Sequence, residues 1–197
     1  MNYLAHIFLA GNDKYLQVGG FIADFVKGNK SKQLPDKLWK GIVIHRNIDS
    51  FTDTHPLVRE LVDLLRPEFG RYSGIVLDMY FDYLLASNFS KYSKNMNLFA
   101  FSLRFSFYSI LLYNYLPKRV KGFIFHFIGS NRLYKYSTIE GLKNSFEIMS
   151  NYKVKALNPE HCIRFLIQNK TQIEPKFNAF FDELQAYVID TQFKTKL

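Results

Sequence analysis

Apolar positions along this chain recur at three- and four-residue intervals, and clean two-residue alternation is scarce. No Asn-Gly or Asp-Gly pair marks a hairpin. The pattern therefore predicts a succession of helices. Residues 2–10 are apolar, with Asn2 and His6 one turn apart. Residues 14–27 read as a helix that tolerates the Gly19-Gly20 pair and carries Asp24 near its end. A polar loop, GNKSKQLP, follows over 28–35, and Pro35 suits the first turn of the next helix. That helix is expected to break or bend at Thr54-His55-Pro56, because a residue before proline resists helical backbone. Residues 57–65 give a short amphipathic helix stopped near Pro67, and 73–88 a longer one. Residues 98–116 form an aromatic helix ended before Pro117, and 118–128 a short basic one. Residues 137–152 are helical, with Glu140 three residues after the candidate cap Ser137. Residues 159–194 read as one long helix or two, with Pro175 the expected kink. No repeat, low-complexity tract or linker interrupts this order. The expectation is an all-α, single-domain helical bundle over residues 1–197.

Composition agrees with a sizeable core: 48% of residues are hydrophobic and 17% aromatic. Cys162 is the only cysteine, so neither an intrachain disulfide nor a cysteine-rich zinc site can form. That suits a reducing compartment, and a cytoplasmic location is expected. The opening MNYLAHIFLAGND lacks the basic start and apolar run of a signal peptide. The most apolar later stretch, 98–116, contains Arg104 and several Ser and Tyr, and falls short of a spanning helix. A soluble protein is expected.

The net charge of +9 is unevenly placed. Residues 1–82 hold ten basic and ten acidic residues, whereas 83–197 hold sixteen and seven, so the whole surplus lies in the later part. Such a field favours an acidic partner: nucleic acid, anionic lipid or an acidic protein. The alternative is that excess lysine only keeps an aromatic-rich chain in solution.

The candidate chemistry starts in residues 41–53, GIVIHRNIDSFTD, where His45, Asp49 and Asp53 are spaced four apart. On a helix they share one face, about one turn between neighbours. An imidazole and two carboxylates in a column are acceptable ligands to a hard or borderline divalent cation. A solvated polar face is the alternative for this window alone. Three other segments supply matching groups: His6, Asp24, and the pair Asp78 and Asp82 within IVLDMYFDYLLA. A carboxylate among such apolar neighbours needs a partner. A cation would serve, as would Arg46, Arg59, Arg66 or Arg71. No Walker loop, GxSxG, HExxH or dinucleotide fingerprint is present.

The segments NYLAHIFLA, GGFIADFVKG, GIVIHRNIDSFTDTHP and RPEFGRYSGIVLDMYFDYLLA, in that order, resemble the acyl carrier protein phosphodiesterase family over roughly residues 1–90. The resemblance implies a helical fold related to the HD-type metal-dependent phosphohydrolases. It implies a divalent cation, usually manganese, and cleavage of the phosphodiester joining 4′-phosphopantetheine to a serine of acyl carrier protein. Carried over by position, it marks His6, Asp24, His45, Asp49, Asp53, Asp78 and Asp82. Metal ligation is expected of Asp24, His45, Asp78 and His6. Asp49 or Asp82 is expected to orient or deprotonate water. Arg46 is expected either to neutralise phosphoryl charge or to pair with an aspartate. Lys118, Arg119, Lys121, Arg132 and Lys135 are the expected docking residues for the acidic carrier. One departure stands out: many relatives read Asp-His where this chain reads Asp82-Tyr83, and Asn88-Phe89 replaces a basic or histidine residue further on. Two other functions compete: a related phosphohydrolase acting on a nucleotide or small phosphodiester, and a non-catalytic helical protein binding nucleic acid through its basic part.

Overall fold

The computed structural model of the chain describes residues 3–27, 34–152, 154 and 157–194. Asn2 and residues 28–33 of the expected loop lie outside them. Every regular element among the described residues is helical. Asp13 starts α2 (Lys14–Ile22) by accepting from the backbone N–H groups of Tyr15 and Leu16, at 2.8 and 3.4 Å. The helix before it, α1 (Tyr3–Leu9), is buried at Leu4, Ala5, His6, Ile7 and Leu9. The expected single helix over 14–27 stops at Ile22 and tightens into a 3-10 turn, Ala23–Phe25, which carries Asp24.

Helix α3 (Asp36–Thr54) holds the His45-Asp49-Asp53 column. It ends where predicted, because His55 takes an extended conformation before Pro56, and Pro56 opens α4 (Pro56–Phe69). His55 also reaches into the core. Its ring is buried against Phe180 at 5.0 Å, and Nε2 lies 3.1 Å from Glu183 Oε2. Pro67 does not stop α4. The helix runs past it to Phe69 and ends at Gly70, whose φ of 52° a residue with a Cβ adopts only under strain.

Helix α5 (Ser73–Ser87) is buried along nearly all its length, from Val76 to Ala86. A short α6 (Phe89–Tyr92) leads to α7 (Leu98–Leu111). The aromatic helix expected to reach 116 ends at Leu111 and gives way to a 3-10 turn, Tyr113–Tyr115. The basic segment 118–128 divides at Gly122-Phe123 into α8 (Lys118–Lys121) and α9 (Ile124–Gly129). Helix α10 (Arg132–Lys135), not anticipated, follows Asn131 in a left-handed conformation that asparagine tolerates better than most residues. Helices of four to six residues are too short to show a face in the sequence.

Helix α11 (Ile139–Tyr152) packs on α12 (Pro159–Lys194), which passes Pro175 without interruption over 36 residues. At 1.5 Å per residue α12 is about 54 Å long, and it braces α3, α4 and α5. Tyr80 anchors α5 to it by donating its hydroxyl to the Cys162 carbonyl at 2.5 Å. On the other side α2 is held between α1, α3 and α7.

The α2–α3 contact sets the site. A Cβ placed on Gly41 would lie 2.4 Å from the Leu16 carbonyl oxygen and 2.9 Å from the Gly19 Cα. One on Gly19 would lie 2.3 Å from the Leu38 carbonyl oxygen. The glycines are therefore not merely tolerated. They let two backbones approach more closely than any side chain would permit.

Candidate metal centre

That close approach carries the Gly20 carbonyl to His45, 2.8 Å from Nδ1. The carbonyl can only accept, so Nδ1 carries a proton and Nε2 is the ring nitrogen left to face the carboxylates. Metal-ligating histidines are held in this way. Nε2 of His45 lies 3.0 Å from Asp49 Oδ2 and 3.4 Å from Asp24 Oδ1. From α1, His6 stacks on His45 with ring centroids 3.7 Å apart, and its Nε2 lies 3.2 Å from Asp49 Oδ1. One carboxylate thus faces two imidazoles. Ligand atoms of His6, His45 and Asp49 all lie within 4.8 Å of one another. The imidazoles are buried, at 2% and 7% side-chain exposure, whereas Asp49 and Asp24 are 39% and 69% exposed. The cluster is closed by histidine and opens to solvent through its carboxylates.

The charges follow from this placement. Burial drives the His6 ring down to about 4, partly opposed by Asp49, so it is neutral near pH 7. Burial also works against a charged His45, but the Asp24 and Asp49 carboxylates overcome it and raise the ring to about 9. Burial would raise Asp49, yet the two imidazoles hold it well below the usual carboxylate range. Asp24 is held low chiefly by its hydrogen bond with His45. Without a cation the centre is a compact ion network; with one, the His45 proton is the positive charge to be displaced.

Of the seven marked residues, four meet here: His6, Asp24, His45 and Asp49. Asp53 lies a turn beyond Asp49 and is exposed; with Asp78, Arg59 and Arg66 it lines a neighbouring cleft of about 400 Å³. Burial raises the Asp78 carboxyl, and the Asp49 and Asp53 charges add to this. Asp82, expected near the reacting water, is held by the backbone. It is 1% exposed and accepts from the N–H groups of Leu4 and Ala5 at 2.9 and 3.3 Å. It thereby ties the start of the helix that carries His6 to α5. Arg46 stacks on Trp39, 5.1 Å from the ring centroid, and makes no ion pair among the described residues. Tyr83 and Phe89 lie in the apolar core, Phe89 5.3 Å from Phe8. Asn88 donates to Glu174 at 2.9 Å.

The expected docking residues divide in two. Arg119 lies 5.7 Å from the ring of Phe25, the neighbour of Asp24. Arg132 lies 5.9 Å from the ring of Tyr136. Both act on Tyr3, one turn before His6: burial raises its phenol, Asp24 adds to that, and the two arginines oppose it. Sequence reasoning gave Tyr3 no role, and its spacing from His6 was the available signal. Lys118 and Lys121 lie on the same short helix as Arg119, and Lys135 on that of Arg132.

Within an all-helical fold, two buried imidazoles, one from α1 and one from α3, and the Asp49 carboxylate of α3 form a group that could hold a metal ion beside solvent. The model of the family "Acyl carrier protein phosphodiesterase" matches residues 1–184. The chain belongs to that family. It is 26% identical to the acyl carrier protein phosphodiesterase of Yersinia enterocolitica over 192 residues, 98% of this chain and 100% of the relative. It is 38% identical to that of Yersinia pestis over 98 residues, and 39% identical to that of Enterobacter sp. (strain 638) over 98 residues. Each of those two alignments covers 50% of this chain and 51% of the relative, so there the match spans about half the relative's length. No solved structure matches this chain.

Proposed function

We propose that this chain hydrolyses the phosphodiester linking 4′-phosphopantetheine to a serine of holo acyl carrier protein, releasing apo carrier protein. The observation that carries the reading is the meeting of His6, His45 and Asp49 ligand atoms within 4.8 Å, in a chain of this family. The donor set fits a divalent cation, because imidazole nitrogen and carboxylate oxygen suit manganese and similar ions. The Gly20 carbonyl, by fixing the His45 tautomer, fits it too. Manganese and a kinship with the HD-type phosphohydrolases are part of the proposal.

His6, His45 and Asp49 would hold the ion, with Asp24 as the further, exposed ligand. A bound cation supplies Lewis acidity toward the phosphoryl oxygens and acidifies water. The protein's own groups do the remainder. Asp49, bridging both rings, keeps them aligned. Asp78 is better placed than Asp82 to exchange a proton with water. Burial raises both carboxyls, but Asp82 is 1% exposed, whereas Asp78 lines a cleft of about 400 Å³. Arg46, stacked on Trp39, is kept as a candidate to neutralise phosphoryl charge. Arg119 and Arg132, beside Tyr3 and the Asp24 turn, are assigned to the acidic carrier.

The test is incubation of holo acyl carrier protein with the protein, with manganese or with chelator, read as intact mass. Apo carrier protein and free 4′-phosphopantetheine should appear only with metal. Retention of the prosthetic group with every divalent metal tried would remove the reading. Turnover of nucleotides in its place would move the same chemistry to another substrate.

A further inference from the structure

Helix α7 has two apolar faces, and only one is used by the fold. The inner face buries Leu98, Phe101 and Phe105, with Phe105 packed edge-on against Phe21 of α2 at 5.2 Å. The outer face repeats at helical spacing: Phe99, Leu103, Phe107, Ile110 and Leu111 are 48%, 51%, 61%, 53% and 52% exposed. Phe125 of α9 is also exposed, at 60%. Together these leave on the order of 600 Å² of hydrocarbon in water, the upper end for a monomer.

The margins of this face are chemically uniform. Tyr134 meets Phe99 edge-on at 5.5 Å. Tyr113 contacts Phe125 at 5.4 Å, with Lys121 Nζ 4.9 Å above the Tyr113 ring. Lys118 and Lys135 are exposed on the adjoining α8 and α10. Across residues 83–139 there are eight lysines and arginines and no aspartate or glutamate.

We propose that the outer face of α7, with Phe125 and the rim lysines Lys118, Lys121 and Lys135, binds the surface of an anionic phospholipid bilayer. Phe, Leu and Ile side chains enter the acyl boundary, the tyrosines sit at headgroup depth, and the ammonium groups meet lipid phosphates. A helix of 14 residues lies along such a surface and does not cross it. Among the described residues, no helix is long and apolar enough to span a membrane. A second copy on this face would oppose two sets of cations. A protein partner is disfavoured by the lysine rim, since protein interfaces are depleted in lysine. The inference is independent of the hydrolytic reading.

Co-sedimentation with vesicles of phosphatidylcholine and phosphatidylglycerol, against phosphatidylcholine alone, tests it. The intact protein should partition at least tenfold more onto the anionic vesicles, and less so in high salt. Leu103→Asp with Phe107→Asp should abolish binding, and Lys118→Glu with Lys121→Glu should remove the preference for anionic lipid. All four side chains are surface groups, and circular dichroism melting checks that each variant folds. Failure of the unaltered protein to sediment, or unchanged sedimentation of the Leu103 and Phe107 variant, would overturn the proposal. So would a dimer that the Leu103 and Phe107 variant dissociates without vesicle binding, which assigns the face to a second copy. A raised KM for holo carrier protein in that variant, again without vesicle binding, would assign it to an acidic protein and equally overturn the proposal.

Discussion

His45 is where local chemistry and fold meet. The Gly20 carbonyl sets its tautomer, while two carboxylates hold its proton to about pH 9. A cation needs the neutral ring, so binding must expel that proton. Affinity for manganese should therefore rise with pH from about 6 to about 9, by up to about tenfold per unit. Titration calorimetry in buffers of different ionisation enthalpy should report close to one proton released per ion; no dependence on buffer would refute the ligand assignment for His45. Asp49→Asn removes the carboxylate that serves both imidazoles. It should weaken manganese binding and kcat/KM on the order of 100-fold or more, with the helical circular dichroism spectrum unchanged. Retained affinity would place the ion elsewhere.

Two elements position these residues, and each has its own test. The α2–α3 crossing depends on Gly41, where a Cβ would meet the Leu16 carbonyl oxygen at 2.4 Å. Gly41→Ala should cost roughly 2–3 kcal/mol in urea unfolding, as overpacking does. It should also lower metal affinity, because the helices that place Gly20 against His45 must part. Helix α1 depends on Asp82, which burial raises to about 7 against the pull of the Leu4 and Ala5 N–H groups. Its folded value lies above its unfolded value of about 3.9. The stabilisation from this group is therefore complete below about pH 4 and is lost as pH rises through about 7. Asn does not titrate. Relative to the unaltered chain, Asp82→Asn should gain roughly 2–3 kcal/mol between about pH 5 and about pH 8, measured by urea unfolding in chelator. Parallel pH profiles would show that Asp82 carries no such strain.

At the scale of the whole molecule, charge is segregated. The first 82 residues are neutral overall and hold the His6, His45 and Asp49 cluster; the cationic surplus lies in the rest of the chain. If Arg119 and Arg132 receive an acidic carrier beside the Asp24 turn, the encounter is electrostatic. Raising salt from about 0.1 to about 1 M shortens the screening length from about 10 to about 3 Å. KM for holo carrier protein should then rise several-fold while kcat holds. Arg119→Glu with Arg132→Glu should reproduce that rise at low salt. A fall in kcat with KM unchanged would give the arginines a part in the chemistry instead of in docking.

By itself the amino-acid order determined the helical class, the family and the groups from which a site could be made. Those properties are local: a helical period, a proline after His55, carboxyl and imidazole groups four residues apart. Pro67 misled, because proline weakens a helix locally while tertiary packing decides whether it continues. Only the tertiary structure decided which acids meet which imidazoles. Asp78 and Asp82 are one turn apart on the same helix, yet one lines a cleft and the other receives the start of α1. Spacing along a helix specifies the face on which a side chain lies. What stands opposite that face depends on helices remote in the chain, brought there by glycine contacts and buried aromatic packing that have no local signature.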